Sequence, residues 1–157
     1  MNDERPVATG FGKGVNDYLN TYIALADAKA AGFLAAGLTV GAAVLEIAAT
    51  TQPAAALRWL SIMSLSVSIG TNAFVIVPRL PSGRRGLVFW EDIRTRSAFD
   101  EYQREAVHLT EADVEAEYAA QNYFVSDVVH RKHYWVRWGI FSFLMGVGFA
   151  VGAHLLK

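Results

Sequence analysis

Three stretches of about twenty residues each carry almost no charge, and they dictate what this chain of 157 residues can fold into. A hydrocarbon layer about 30 Å thick is crossed by about 20 helical residues rising about 1.5 Å each. The first stretch runs from Ala30 to Ala49, with one acidic residue, Glu46, near its far end. The second runs from Trp59 to Val77, between Arg58 and a Pro78-Arg79 stop, and the third from Trp135 to Leu156, closed by Lys157. A soluble bundle would need polar stripes on such helices, yet Ser142 alone interrupts the run from Phe141 to Val151. Trp59, Trp135, Arg137 and Trp138 stand at the ends of the stretches, as an interfacial belt with snorkelling cations requires. The expected fold is therefore an all-α membrane protein with transmembrane helices over 30–49, 59–77 and 135–156. An N-terminal segment 1–29 carrying an amphipathic helix, a short external loop 50–58 and a helical cytoplasmic domain 78–134 between spans two and three complete it.

Orientation follows from where Lys and Arg fall in the loops. Arg5, Lys13 and Lys29 precede span one, and Arg79, Arg84, Arg85, Arg94, Arg96, Arg104, Arg131 and Lys132 separate spans two and three. The other side has Arg58 and Lys157 alone. This bias predicts a multi-pass membrane protein with its N-terminus cytoplasmic and its C-terminus external. The polar start from Met1 to Gly14 lacks an apolar run behind a basic end, so no cleavable signal peptide is expected. Net charge is −1, which gives no reason to expect a nucleic acid polymer as partner. The absence of cysteine excludes disulfides, thiol catalysis and thiolate-bound metal.

The spans are not leucine anchors. Span one contains the GxxxG pair Gly37 and Gly41, span three a second pair, Gly148 and Gly152, and span two carries Ser61, Ser64, Ser66, Ser68, Thr71 and Asn72. Lipid supplies no hydrophobic force between helices, so small residues and hydroxyls favour their association. These glycines are expected to pack the spans and to serve contacts between subunits of a homo-oligomer. Asn72 is costly against lipid and is expected to face a helix or a polar cavity.

Chemistry is sparse in the polar segments. Val15, Tyr18, Leu19, Tyr22, Leu25 and Ala26 recur at helical spacing and predict a helix running into span one. Ser97 to His108 reads as a helix, and Thr110-x-x-Asp113 as a capping start for one leading into span three. Glu111, Asp113, Glu115 and Glu117 read as a solvated first turn. Asp127, His130 and His133 share helical spacing but lack a further ligand group, so neither a metal nor a cofactor is expected. No phosphate loop and no nucleophile–base grouping occurs, so an enzyme is not expected. The arginines around 79–96 with Lys29 and Lys132 fit positive-inside topology and headgroup contact. Alternatively, Lys29, Arg84, Arg85 and Arg94 would bind a phosphate-bearing ligand, for which guanidinium forks are suited.

The run Tyr22-Ile23-Ala24-Leu25-Ala26-Asp27-Ala28-Lys29-Ala30 resembles the opening of the Pycsar effector transmembrane family (PycTM), with Asp27, Lys29 and Ala30 its most specific part. The resemblance continues through Pro78-Arg79, Phe89-Trp90, Ile93, Gln121, Ser126, Lys132 and Tyr134. It implies an antiphage effector switched on by a cyclic pyrimidine nucleotide, cCMP or cUMP, that a partner cyclase makes. The effector would then impair the inner membrane and abort infection. A strand-rich β-roll would not fit in 78–134, so any nucleotide would be met by a helical site. The competing expectation is a non-enzymatic membrane adaptor that recruits a protein partner through the charged helix from Thr110 to Val129.

Overall fold

The computed structural model describes residues 9–77, 86–88, 90–94 and 98–157, with Trp90 and Glu91 as backbone only. They form five helices: α1 (Phe11–Leu45), α2 (Gln52–Ile76), α3 (Trp90–Arg94), α4 (Phe99–Ala106) and α5 (Glu111–Leu155). No strand occurs among the described residues. The expected breaks at Pro78, Arg79, Pro81, Ser82 and Gly83 lie outside the described residues, as do Phe89, Arg84, Arg85 and Arg96.

The chain divides into two compact units, one drawn from Met1–Ile23 and Arg79–Val129, the other from Ala24–Pro78 and His130–Lys157. α1 and α5 contribute to both, so neither has a loop between its polar and apolar parts. Three helices, α1, α2 and α5, are long and apolar enough to cross a membrane. Only 17% to 28% of their most apolar windows is buried, and Leu38, Met63, Val67, Phe74, Phe141, Leu144 and Val151 are exposed. So much apolar surface is stable in lipid and costly in water.

In the second unit, α2 starts at Thr51, whose hydroxyl accepts from Ala54 N at 3.3 Å, with Pro53 in the first turn. The same hydroxyl donates to Leu156 O at 2.7 Å, satisfying a carbonyl that the end of α5 leaves open. α1 ends at Leu45, four residues short of the hydropathy boundary at Ala49. Its last turn tightens through bonds from Glu46 N to Ala43 O and from Ile47 N to Val44 O, both 3.2 Å. Arg58 Nη2 donates to Leu45 O at 2.8 Å and closes that end. A small core of Ala26, Ala30, Val75 and Val136, flanked by Ile140, joins the three helices. Edge-to-face rings add to it, Phe33 with Phe143 and Phe74 with Trp135.

Candidate functional site

Two polar constellations stand out, one in each unit. In the span-bearing unit α2 and α5 run antiparallel and meet along a seam of small and hydroxyl residues. Ala54, Ser61, Ser68 and Val75 recur every seventh residue on α2, as do Gly139, Gly146 and Ala153 on α5. All seven are buried, and that repeat is what left-handed packing at about 20° needs. Ser61 Oγ donates to Gly146 O at 2.7 Å and Ser68 Oγ to Gly139 O at 2.8 Å. A Cβ at Gly146 would lie 2.7 Å from Leu65 Cγ and 3.2 Å from the Leu65 backbone nitrogen. One at Gly139 would lie 2.5 to 2.9 Å from the Asn72 amide group. Only glycine lets the helices come this close.

Asn72 is fully buried in this seam. Its Nδ2 donates to Ser68 O at 2.9 Å and to Ser68 Oγ at 3.3 Å. Its Oδ1 is buried without a hydrogen-bond partner. At another level of the unit, Lys132 Nζ on α5 donates to Asp27 Oδ1 on α1. The Lys132 side chain is 6% exposed and that of Asp27 34%. The carboxylate held against this sheltered ammonium offsets the cost of taking both groups out of water.

The other unit is joined by longer polar side chains. Glu115 on α5 accepts from Gly10 N at 2.6 Å and Gly12 N at 2.7 Å, so its carboxylate sits on the first amides of α1, where the helix dipole favours negative charge. Gly10 takes a positive φ of 81° at this entry. Asn122 Nδ2 donates to Gly12 O at 2.8 Å, and Asn122 Oδ1 accepts from Asn16 Nδ2 at 3.0 Å. Asn20 Nδ2 in turn donates to Asn16 Oδ1 at 2.9 Å. Glu117 accepts from Leu87 N at 3.0 Å, and Asp92 from Gly86 N at 3.1 Å.

The solvated acidic turn expected from sequence is therefore only half present. Glu111 and Asp113 are exposed, whereas Glu115 and Glu117 are partly buried and bind backbone amides. Thr110 and Asp113 form the capping pair, with Thr110 N donating to Asp113 Oδ2 at 2.9 Å and Asp113 N to Thr110 Oγ1 at 3.2 Å. Hydrogen bonds from Thr110 hold the Asp113 carboxyl below its ordinary range. The Asp17 carboxylate, bonded to Lys13 at 2.8 Å, pushes that ammonium up.

Of the residues singled out for phosphate binding, Lys29 lies exposed on α1 in the span-bearing unit. Arg94 lies exposed in the last turn of α3 in the other, and Arg84 and Arg85 lie outside the described residues. Among the family positions, Asp27 pairs with Lys132, Ala30 is in the core, and Ser126 Oγ donates to Tyr123 O at 2.7 Å. Gln121 holds a buried Oε1 without a hydrogen-bond partner, and Pro78 and Arg79 are not described. Gly37 approaches Ile69 and Gly152 approaches Leu57, at 3.0 and 3.1 Å from a built Cβ, while Gly41 and Gly148 face open space. The sequence reading passed over Gly139 and gave Ser61 and Ser68 no partner; their sevenfold spacing was the available signal. No group of three or more His, Asp or Glu able to hold a metal occurs among the described residues.

A family model described as PycTM, Pycsar effector protein domain, matches residues 12–157. No curated protein and no solved structure matches. The match takes in α2 and α5 whole and all but the first residue of α1, and the chain belongs to the Pycsar effector family.

Proposed function

We propose, with membership of the Pycsar effector family as the premise, that this protein is a non-enzymatic antiphage effector of the bacterial inner membrane. A cyclic pyrimidine nucleotide, cCMP or cUMP, from a partner cyclase switches it on during infection. The active protein, as a homo-oligomer, impairs the membrane, and the infected cell dies before phage mature. The observation that carries this reading is the family match over 12–157, which spans all three apolar helices. The excess of Lys and Arg before span one and between spans two and three supports an N-terminus and a 78–134 segment in the cytoplasm, where a cyclase product is met. Helices that leave the membrane without a break give a bound ligand a direct mechanical route to the spans. A ligand shifts such an equilibrium only by preferring one state.

The phosphodiester is read by cations, for which Arg84, Arg85 and Arg94 are the proposed set. Purified protein is expected to lose nucleotide affinity on Arg94→Ala or Arg84→Ala; unchanged affinity in all three single variants removes this assignment. The function itself is tested in cells carrying the protein beside an active or an inactivated pyrimidine cyclase. Phage challenge is expected to collapse membrane potential only with the active cyclase. Equal potential and equal phage yield in both strains would overturn the reading.

A further inference from the structure

The seam between α2 and α5 has an unusual constraint on how it can open. Ser61, Ser68 and Asn72 are 0% exposed, and Oδ1 of Asn72 is buried with no hydrogen-bond partner. That oxygen lies 2.8 Å from where a Cβ on Gly139 would stand, so neither a methyl group nor a water fits between the helices there. Closed, the seam leaves one strong acceptor unmet, which is unfavourable. Opened to lipid, it would leave the Ser61 and Ser68 hydroxyls and the freed lone pairs of the Gly139 and Gly146 carbonyls without their partners across the seam, while the Asn72 amide nitrogen keeps its bonds to Ser68 on its own helix and Oδ1 stays unmet, which hydrocarbon disfavours. Opened to water, all of them are satisfied. The seam therefore has two tolerable conditions, shut or wet. The outward faces of the same helices carry Met63, Val67, Phe74, Phe141 and Leu144 and offer water little.

We propose that the α2–α5 seam is the part of the membrane domain that takes up water in the active state. Its ladder of Ser61, Ser68 and Asn72, with the carbonyls of Gly139 and Gly146, then lines the path by which water and small cations leak. The inference rests on the reading that the effector permeabilises the membrane, and it names the lining that does so. Hydroxyl, amide and carbonyl oxygens without a net charge replace a cation's hydration shell better than an anion's. Three helices enclose no lumen, so further copies of the chain complete the wall. The orphan Oδ1 of Asn72 is the group that gains most from hydration, and it biases the seam towards opening.

The native chain has no cysteine, so single cysteines report without background. The full chain is reconstituted in phosphatidylethanolamine–phosphatidylglycerol vesicles as Ser61→Cys, Ser68→Cys or the lipid-facing Val67→Cys. Modification by a charged methanethiosulfonate is timed with and without cCMP or cUMP, and potassium efflux is recorded in the same vesicles. Both seam cysteines are expected to react about tenfold faster than Val67→Cys. Asn72→Leu, which removes the orphan oxygen, is expected to slow the seam cysteines about fivefold. Seam cysteines reacting no faster than Val67→Cys overturn the proposal, whether or not the vesicles leak. A leak that rises with nucleotide while the seam stays unreactive keeps the effector reading and removes the seam. Seam reactivity above the control with no response to nucleotide upholds the seam and removes the effector reading.

Discussion

In the span-bearing unit α2 meets α5 through Ser61, Ser68 and Asn72 set against Gly139 and Gly146, whereas in the other unit α5 meets α1 through Glu115 and the Asn122–Asn16 pair. In the first interface the bonds that cross between helices come from serines set against glycines, with Asn72 bonded to Ser68 on its own helix, so that a serine hydroxyl reaches the neighbouring backbone directly. The second uses longer carboxylates and amides that reach across to backbone N–H and C=O groups. Solvent accounts for the difference. Between helices in lipid there is no hydrophobic gain, so close approach and unshielded hydrogen bonds have to supply the attraction. Where water competes, a polar contact holds only if it is partly sheltered and often charged, and Glu115, Asn16 and Asn122 meet that condition.

The largest test of the comparison is the Lys132–Asp27 ion pair of the span-bearing unit. Lys132→Met leaves Asp27 without its partner, and the cost is expected to be about 3 kcal/mol, the low end for breaking a buried pair because Asp27 is partly exposed. Thermal unfolding in detergent checks it, and Asp27→Asn added to Lys132→Met should restore most of the loss. Full stability of Lys132→Met alone would remove the pair from the account. Next comes Gly146→Ala, whose methyl meets Leu65 and its backbone; overpacking there should cost about 2 kcal/mol. Gly148→Ala, which faces open space, should leave the unfolding temperature unchanged. Equal losses at the two positions would mean that the seam is not the close contact.

Smaller effects separate the units. Asn122→Ala removes the bonds to Gly12 O and Asn16 and should cost about 1.5 kcal/mol. Hydrogen exchange is expected to rise at the start of α1 and leave α2 protected, since stability is local where contacts are local. Smallest is the acid response of the Thr110–Asp113 cap. The Asp113 carboxyl is held below its ordinary value by Thr110, so its contribution is present above the unfolded value and is lost as pH falls through the lowered folded one. Amide exchange at the first turn of α5 should accelerate only on that acid side, and Asp113→Asn should abolish the dependence.

Charge-free length and small-residue content made the three apolar helices legible, and the repeat of Val15, Tyr18, Leu19 and Tyr22 announced that α1 begins well outside span one. The Thr110-x-x-Asp113 cap was legible because its partners are three residues apart. Glu115 was not, because its partners, Gly10 and Gly12, lie a hundred residues away in sequence and nothing local marks a carboxylate as a cap for another helix. The seam was half legible. GxxxG drew notice to Gly41 and Gly148, which face open space, while the closest approaches fall at Gly139 and Gly146. Spacing by four marks a face on one helix, but only the shared sevenfold spacing of two helices marks which faces meet.

The central claim is that a cyclic pyrimidine nucleotide turns this membrane protein into a leak, and vesicles loaded with a self-quenched dye test it most directly. Purified protein reconstituted alone should hold the dye, and release it on addition of cCMP or cUMP but not of a cyclic purine nucleotide. Vesicles that stay sealed with both pyrimidine nucleotides, or that leak equally with and without them, would contradict the account.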